Sequence, residues 1–188
     1  MLAVKPAEPA TLSAAEFIRD YESLPEKYEL IDGVAWAMAG ASKRHNRVAG
    51  NIFALLHGRL RGSGCEPFGP DARLLLDDGN IRFPDVAIYC DERDVGPIDQ
   101  PTLSFPKVVF EVLSPSTAND DRLRKLVEYQ HIDSLQAIIL IDPTTRTIDL
   151  YERAGPAEWH VVNLATGAPL VLRDPSVTLT CDEIFENA

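Results

Sequence analysis

Cysteine is scarce in this chain. Its three residues, Cys65, Cys90 and Cys181, are odd in number and widely scattered. That spacing suits neither a disulfide framework nor a zinc knuckle and reads as reduced thiols in a cytoplasm. No apolar run approaches the roughly 18 residues needed to span a bilayer. The opening Met-Leu-Ala-Val-Lys-Pro-Ala-Glu-Pro has no charged segment leading into an apolar one, so no signal peptide is expected. The reading is a cytoplasmic chain with no membrane partner. Also missing are a Gly-x-Ser-x-Gly elbow, a phosphate loop ending in Gly-Lys-Ser/Thr, and His-Glu-x-x-His, which argues against the corresponding hydrolase, nucleotide and zinc chemistries. Positive charge is short as well, with 18 Lys and Arg against 29 Asp and Glu and a net charge of −11. Proteins that grip long nucleic acid usually carry a basic stripe, because phosphate neutralisation supplies most of their non-specific affinity. The cations do cluster locally, at Lys43, Arg44, Arg47, Arg59 and Arg61 and again at Arg122, Arg124 and Lys125. Those clusters read either as a local basic face or as ordinary solvated helix faces.

What is present is average for a globular protein, 45% hydrophobic and 25% charged over 188 residues, and it fits a single domain spanning 1–188. Ser13 and Glu16 have capping-box spacing, with Leu12 and Phe17 placed as a hydrophobic staple, which predicts a helix ending near Leu24-Pro25. Residues 28–38 read as two short strands around an Asp-Gly turn. Val48, Ile52, Leu55, Leu56 and Leu60 give a helical period over Arg47 to Leu60. Residues 73–76 and 81–83 flank Asp-Asp-Gly-Asn as a hairpin, and 85–89 continues as strand. The segment 91–106, holding Pro97, Pro101 and Pro106, reads as a surface loop. Val-Val-Phe-Glu-Val-Leu (108–113) and Ala-Ile-Ile-Leu-Ile (137–141) look like central strands buried on both faces. A helix over roughly 118–131, with Leu123, Leu126 and Val127 apolar, joins them as a crossover between parallel strands. The tail from Thr147 alternates as antiparallel edge strands. The fold class expected is mixed α/β.

The informative anomaly is Glu111, a carboxylate interrupting an apolar run where an unpaired charge is costly to bury. It needs a partner, a proton or a metal. Asp85 is similar, following Pro84 and leading into Val-Ala-Ile. Two carboxylates at corresponding ends of adjacent strands converge on one point, an arrangement that suits Mg²⁺, which takes one or two carboxylates and retains waters. Each acid also reads as an ordinary hydrogen-bonding group near a strand end. If the following helix starts near Ala118, Lys125 lies about 10 Å along it at ~1.5 Å per residue. Glu111 lies roughly 7–10 Å down its strand at ~3.3 Å per residue, so the two are level. Lys125 then either aims at the carboxylates or faces solvent. Lys107 shares the face of Glu111 but sits about 13 Å away along the strand. Glu29 is a third carboxylate or an exposed strand residue. His45 opens a helix, where it binds a phosphate, polarises a water or does nothing. Ser114 and Ser116 read as turn and cap residues.

The motifs Tyr-Glu-Leu-Ile-Asp-Gly (28–33), His45 at a helix start, Arg-Phe-Pro-Asp-Val (82–86), Phe-Glu-Val-Leu-Ser-Pro-Ser-Thr (110–117), Lys125, Tyr129, Leu-Ile-Asp-Pro (140–143) and Asp-Glu-Ile-Phe (182–185) cover nearly the whole chain in order. Together they resemble the Uma2 family of the PD-(D/E)XK nuclease superfamily. The resemblance implies a restriction-endonuclease-like core, a mixed central sheet flanked by helices with extra antiparallel strands. It also implies a cytoplasmic, Mg²⁺- or Mn²⁺-dependent endonuclease acting on DNA, active as a homodimer. Asp85 and Glu111 would be metal ligands and Glu29 an additional acidic ligand. Leu113 stands where the superfamily places its lysine, and the resemblance assigns that role to Lys125, with His45 as a further site residue. The alternative reading is a non-catalytic interaction protein that retains a nuclease fold, which the net charge favours.

Overall fold

A computed structural model describes residues 11–96, 99, 101–114, 119–165 and 167–188, with backbone alone at 119–121. The chain opens with α1 (Ala14–Tyr21), whose capping box pairs Ser13 with Glu16 as the sequence predicts, but which ends before Leu24. A hairpin follows, β1 (Tyr28–Ile31) and β2 (Val34–Ala37). Its turn places Asp32 at φ 50° and Gly33 at φ 75°, the left-handed pair that matches the twist of a two-residue hairpin. Next come α2 (Lys43–Arg59), β3 (Glu66–Phe68), β4 (Arg73–Leu75), β5 (Ile81–Arg82) and β6 (Val86–Tyr89). After them lie α3 (Glu92–Val95), β7 (Thr102–Leu103), β8 (Pro106–Val112), α4 (Asn119–Gln130) and β9 (Ala137–Asp142). The chain closes with β10 (Thr147–Gly155), β11 (Glu158–Leu164), β12 (Leu170–Arg173), β13 (Ser176–Leu179) and α5 (Cys181–Ile184).

Two principal sheets result. One is five-stranded in the order β2-β1-β5-β4-β7, and the other is six-stranded in the order β11-β10-β9-β8-β6-β3. In the larger sheet β8 and β9 run parallel, joined by α4 as the crossover, while the other pairings are antiparallel. Even-numbered residues of β8 (Val108, Phe110, Val112) face a core shared with Val48, Ile52 and Leu56 of α2, and with β12, β13 and α5. Odd-numbered Val109 faces a second core with Tyr129 and Ile132 at the α4 end. The smaller sheet packs Leu30 and Ile81 against Phe17 of α1. Among the described residues no helix is long and apolar enough to cross a membrane.

Several expectations need correcting. α2 begins at Lys43, four residues before the apolar period shows itself, because Ser42 caps the His45 N–H at 3.2 Å. Strands 81–83 and 85–89 are not continuous: β5 and β6 belong to different sheets, and Pro84, lacking an N–H for either ladder, stands between them. The segment 91–106 is no plain loop. α3 turns the buried Asp94 carboxylate onto the N–H groups of Ser104 (3.1 Å) and Phe105 (2.7 Å), fixing the chain as it enters β7 and β8. Leu123 and Val127, apolar in the sequence, are 59% and 54% exposed, because α4 turns Lys125, Glu128 and Tyr129 inward instead. The expected Pro97, Pro115, Ser116 and helix start near Ala118 lie outside the described residues.

The cysteine reading changes most. Antiparallel pairing of β3 with β6 sets Glu66 opposite Tyr89, so Cys65 and Cys90 meet one step further out, with Cα atoms 4.1 Å apart and a disulfide between them. Sequence separation of 25 hides this cross-strand contact. Cys181 remains free and buried. The expected outcome of thiol titration in denaturant without reductant is one reactive thiol per chain. Three would show that the bridge does not form in the isolated protein.

Candidate functional site

The site is built where the two sheets meet around α4. Pairing of Val86 with Phe110 carries Asp85, immediately before β6, alongside Glu111 and Val112 of β8. The Val112 N–H donates to Asp85 Oδ2 at 2.7 Å, a ladder-like bond that holds this carboxylate against the strand carrying the other. His45, the third residue of α2, brings Nε2 to 3.2 Å from the same Oδ2. Its other ring nitrogen, Nδ1, is buried without a hydrogen-bond partner among the described residues. Burial works against the charged imidazole, but the Asp85 hydrogen bond and the charges of Asp85 and Glu111 outweigh it. The His45 pKa is raised.

Glu111 lies on the α4 side of β8. Tyr129 donates its hydroxyl to Glu111 Oε1 at 2.7 Å, and Lys125 Nζ stands 3.4 Å from the same oxygen. Lys125 and Tyr129, four residues apart on one helix face, therefore grip one carboxylate. Lys125 Nζ also lies 3.3 Å from Glu29 Oε1. Burial raises the Glu111 pKa most, Lys125 opposes that shift, and the Asp85 charge adds to it, leaving Glu111 at about 7. Burial also pushes the Tyr129 phenol well above its ordinary value, with the charges of Glu111 and Glu29 adding to the effect, so it serves as a donor.

Beneath these groups sits Arg82, with no solvent exposure. It donates to Glu29 Oε2 at 2.8 Å and forks onto Glu128 with bonds of 2.7 and 3.0 Å. Burial disfavours its charge, but the bonds and charges of Glu128 and Glu29 hold its pKa above the ordinary value. Glu29 also accepts from the Phe83 N–H at 3.3 Å. Glu128 takes a further bond from Arg124 Nε at 3.1 Å, and Arg124 reaches on to Asp32.

The structure thus brings Asp85, Glu111, Lys125, Glu29 and His45 together. Lys107 is turned away and pairs with Asp174 at 2.7 Å. Among the described residues no three His, Cys, Asp or Glu side chains are gathered as a metal centre. The three-carboxylate ligand set of Asp85, Glu111 and Glu29 is not assembled, because Arg82, Phe83 and Lys125 draw both Glu29 oxygens to themselves. Asp85 and Glu111 are the pair left for a cation, and their chemistry fits a hard divalent ion. Each is an oxygen donor, and the charge of Asp85 raises the pKa of Glu111, a repulsion that a cation between them relieves. Sequence reasoning passed over Arg82 and Glu128. The available signal was an arginine inside an apolar strand run, with Lys125, Glu128 and Tyr129 at i, i+3 and i+4.

A mixed α/β protein, with helices flanking its mixed sheets, is the class this architecture defines. The fold is similar to the crystal structure of a putative nuclease belonging to DUF820 from Anabaena variabilis ATCC 29413, with a TM-score of 0.74 and 18% identity, covering 93% of this chain and 97% of that one. The chain belongs to the Uma2 family, described as a putative restriction endonuclease, whose model matches residues 16–181. It is 33% identical over 187 residues to the uncharacterized protein slr1290 of Synechocystis sp. (strain ATCC 27184 / PCC 6803 / Kazusa), spanning 98% of this chain and 97% of that protein. A second protein of that strain, sll1609, is 33% identical over 154 residues, spanning 81% of this chain and 87% of the other.

Two predictions follow from the buried charges. Arg82→Met leaves Glu29 and Glu128 without their common cation, and urea denaturation should show a loss of about 3–5 kcal/mol. A loss below about 1 kcal/mol would mean that the two carboxylates find water or protons at little cost. Glu111 has a folded pKa of about 7 against an ordinary 4.5, so the stability tied to its neutral form is complete below about 4.5 and is lost as pH rises through about 7. Glu111→Gln should therefore gain melting temperature relative to the parent between pH 5 and pH 8. Parallel melting curves across that range contradict the shift.

Proposed function

We propose that this protein hydrolyses phosphodiester bonds in DNA with a divalent cation, Mg²⁺ or Mn²⁺, held by Asp85 and Glu111. The observation that carries the reading is Lys125 reaching from α4 to Glu111 while Asp85 lies beside that strand, although Leu113 occupies the position two residues after the acid. Family membership supports the same reaction class.

The cation, when bound, polarises the diester and lowers the pKa of an attacking water. The remaining work falls to side chains. Asp85 is aimed by the Val112 N–H and His45, and Glu111 by the Tyr129 hydroxyl, so neither carboxylate has to reorganise as substrate arrives. The Lys125 ammonium offsets negative charge that builds on the phosphoryl oxygens during attack. Glu29, locked by Arg82, holds Lys125 together with Glu111 and takes the part of an anchor where the sequence suggested a ligand. His45 holds Asp85 from the α2 side of the site.

A second reading, a non-catalytic interaction protein on this scaffold, is favoured by the net charge of −11. Incubation of plasmid and single-stranded DNA with Mg²⁺ or Mn²⁺ separates the two. Cleavage is expected from the parent and not from Asp85→Ala or Glu111→Ala, with Lys125→Ala slower by about 100-fold or more. Mn²⁺ should also raise the melting temperature of the parent at pH 8 and leave that of Glu111→Gln nearly unmoved. No cleavage and no Mn²⁺-dependent shift would favour the non-catalytic reading.

A further inference from the structure

The first turns of α2 carry a charge pattern that the fold does not require. Lys43, Arg44 and Arg47 are all exposed. None has an ion-pair partner among the described residues, whereas most other cations here, from Arg19 and Lys27 to Arg122 and Arg173, hold an acidic one. Their position opposes the helix dipole, which favours anions at an N-terminus. The first turns of α1, α3 and α5 follow that preference with Glu16, with Glu92 and Asp94, and with Asp182 and Glu183, while α2 has no acidic residue there. In an acidic chain this leaves three uncompensated cations and a positive helix end in one place.

That place adjoins the site. His45 lies on the same turn, is over nine-tenths buried, contacts Asp85 through Nε2 and keeps Nδ1 without a partner. Lys43, Asn46, Arg47, Gly50 and Asn51 line a surface hollow of about 490 Å³. Gly50 is unfavourable in a helix interior relative to alanine, yet a Cβ there would meet nothing within 4 Å. Packing within the protein does not explain the glycine, which leaves the helix surface low and open at the hollow. Asn51 marks the far edge of the hollow, its amide bound to the carbonyls of Ile184 and Glu186.

We infer that Lys43, Arg44 and Arg47 form the surface on which a nucleic-acid strand lays its phosphates as it passes His45 toward Asp85. The inference rests on the proposed phosphodiester hydrolysis and adds the path of the strand. It also answers the charge objection, since affinity then comes from one local face while the rest of the surface stays acidic. Lys43 and Arg47, one helical turn apart, present long flexible cations on one side of the helix, suited to successive phosphates and indifferent to base sequence.

The test compares the parent with the triple variant Lys43→Gln, Arg44→Gln, Arg47→Gln in EDTA, by fluorescence anisotropy on labelled single-stranded DNA, duplex DNA and RNA across a salt series. The variant should bind at least tenfold more weakly at 0.1 M salt. The slope of log affinity against log salt should fall by about 2–3, with the smaller change on single strands. Its melting temperature should be equal or slightly higher, because the cations oppose the dipole. Hydrolysis of bis(4-nitrophenyl) phosphate with Mn²⁺, which needs the site and not the surface, should be unchanged. Equal slopes for parent and variant would overturn the inference while diester hydrolysis still supports the site. Hydrolysis of the small diester with no nucleic-acid binding would overturn it too. Loss of both activities in the parent would remove the underlying reading. Equal or tighter binding of the parent to phosphatidylserine vesicles, with the same dependence on the three cations, would assign the surface to a membrane instead.

Discussion

A guanidinium sealed from water holds this site together. Arg82 comes from the smaller sheet, takes Glu29 from that same sheet on one side and Glu128 from α4 on the other, and is itself fully buried. Burying any one of these groups alone would be prohibitive, and burying them together requires good geometry on every donor. The bidentate fork onto Glu128 supplies it. Once Arg82 is fixed, α4 has one rotation that satisfies it, and that rotation also turns Lys125 and Tyr129 toward Glu111. The exposure of Leu123 and Val127 follows from the same constraint. α4 sacrifices part of its apolar stripe because its inward face is committed to charge.

The consequence for Glu111 is an environment balanced between protonation and ionisation. β8 buries it, Asp85 repels it, and Lys125 with Tyr129 holds it. Lys125 is itself shared with Glu29, so its charge is divided between two carboxylates. Burial, with the Asp85 charge adding to it, outweighs this divided lysine, so a salt-bridged glutamate still has a raised pKa.

Much of this was legible in the sequence, and what was not has a physical reason. The capping box at Ser13, the Asp-Gly turn and the parallel β8–α4–β9 crossover depend on local chemistry or on hydrophobic period, both of which a single sequence carries. Glu111 was visible as a charge inside an apolar run, and Lys125 as a residue level with it. The role of Arg82 was hidden because its partners lie 46 and 53 residues away, on elements whose relative placement no periodicity encodes. Cys65 and Cys90 were misread for the same reason, since their meeting depends on the register of β3 with β6. Glu29 was found as a candidate and expected to serve as a ligand, because its competitor for that carboxylate was the residue the sequence did not reveal.

The charge balance of the site explains why the proposed function calls for a divalent ion and not another lysine. Glu29, Asp85, Glu111 and Glu128 face two permanent cations, Arg82 and Lys125, with Arg124 shared between Glu128 and Asp32. Two negative charges are left over across the four carboxylates, because the single cation Arg82 serves both Glu29 and Glu128, and Lys125 is shared between Glu29 and Glu111. The excess of negative charge disfavours ionised Glu111 and favours charged His45, and both groups have raised pKa values. A doubly charged ion held by Asp85 and Glu111 would compete with the Glu111 proton, so its affinity would rise with pH as that proton leaves. A third fixed cation in that position would halve the deficit, and with it weaken the attraction for a metal. The acidic excess that weighs against DNA binding over the whole chain is, at this point in the fold, what the chemistry requires.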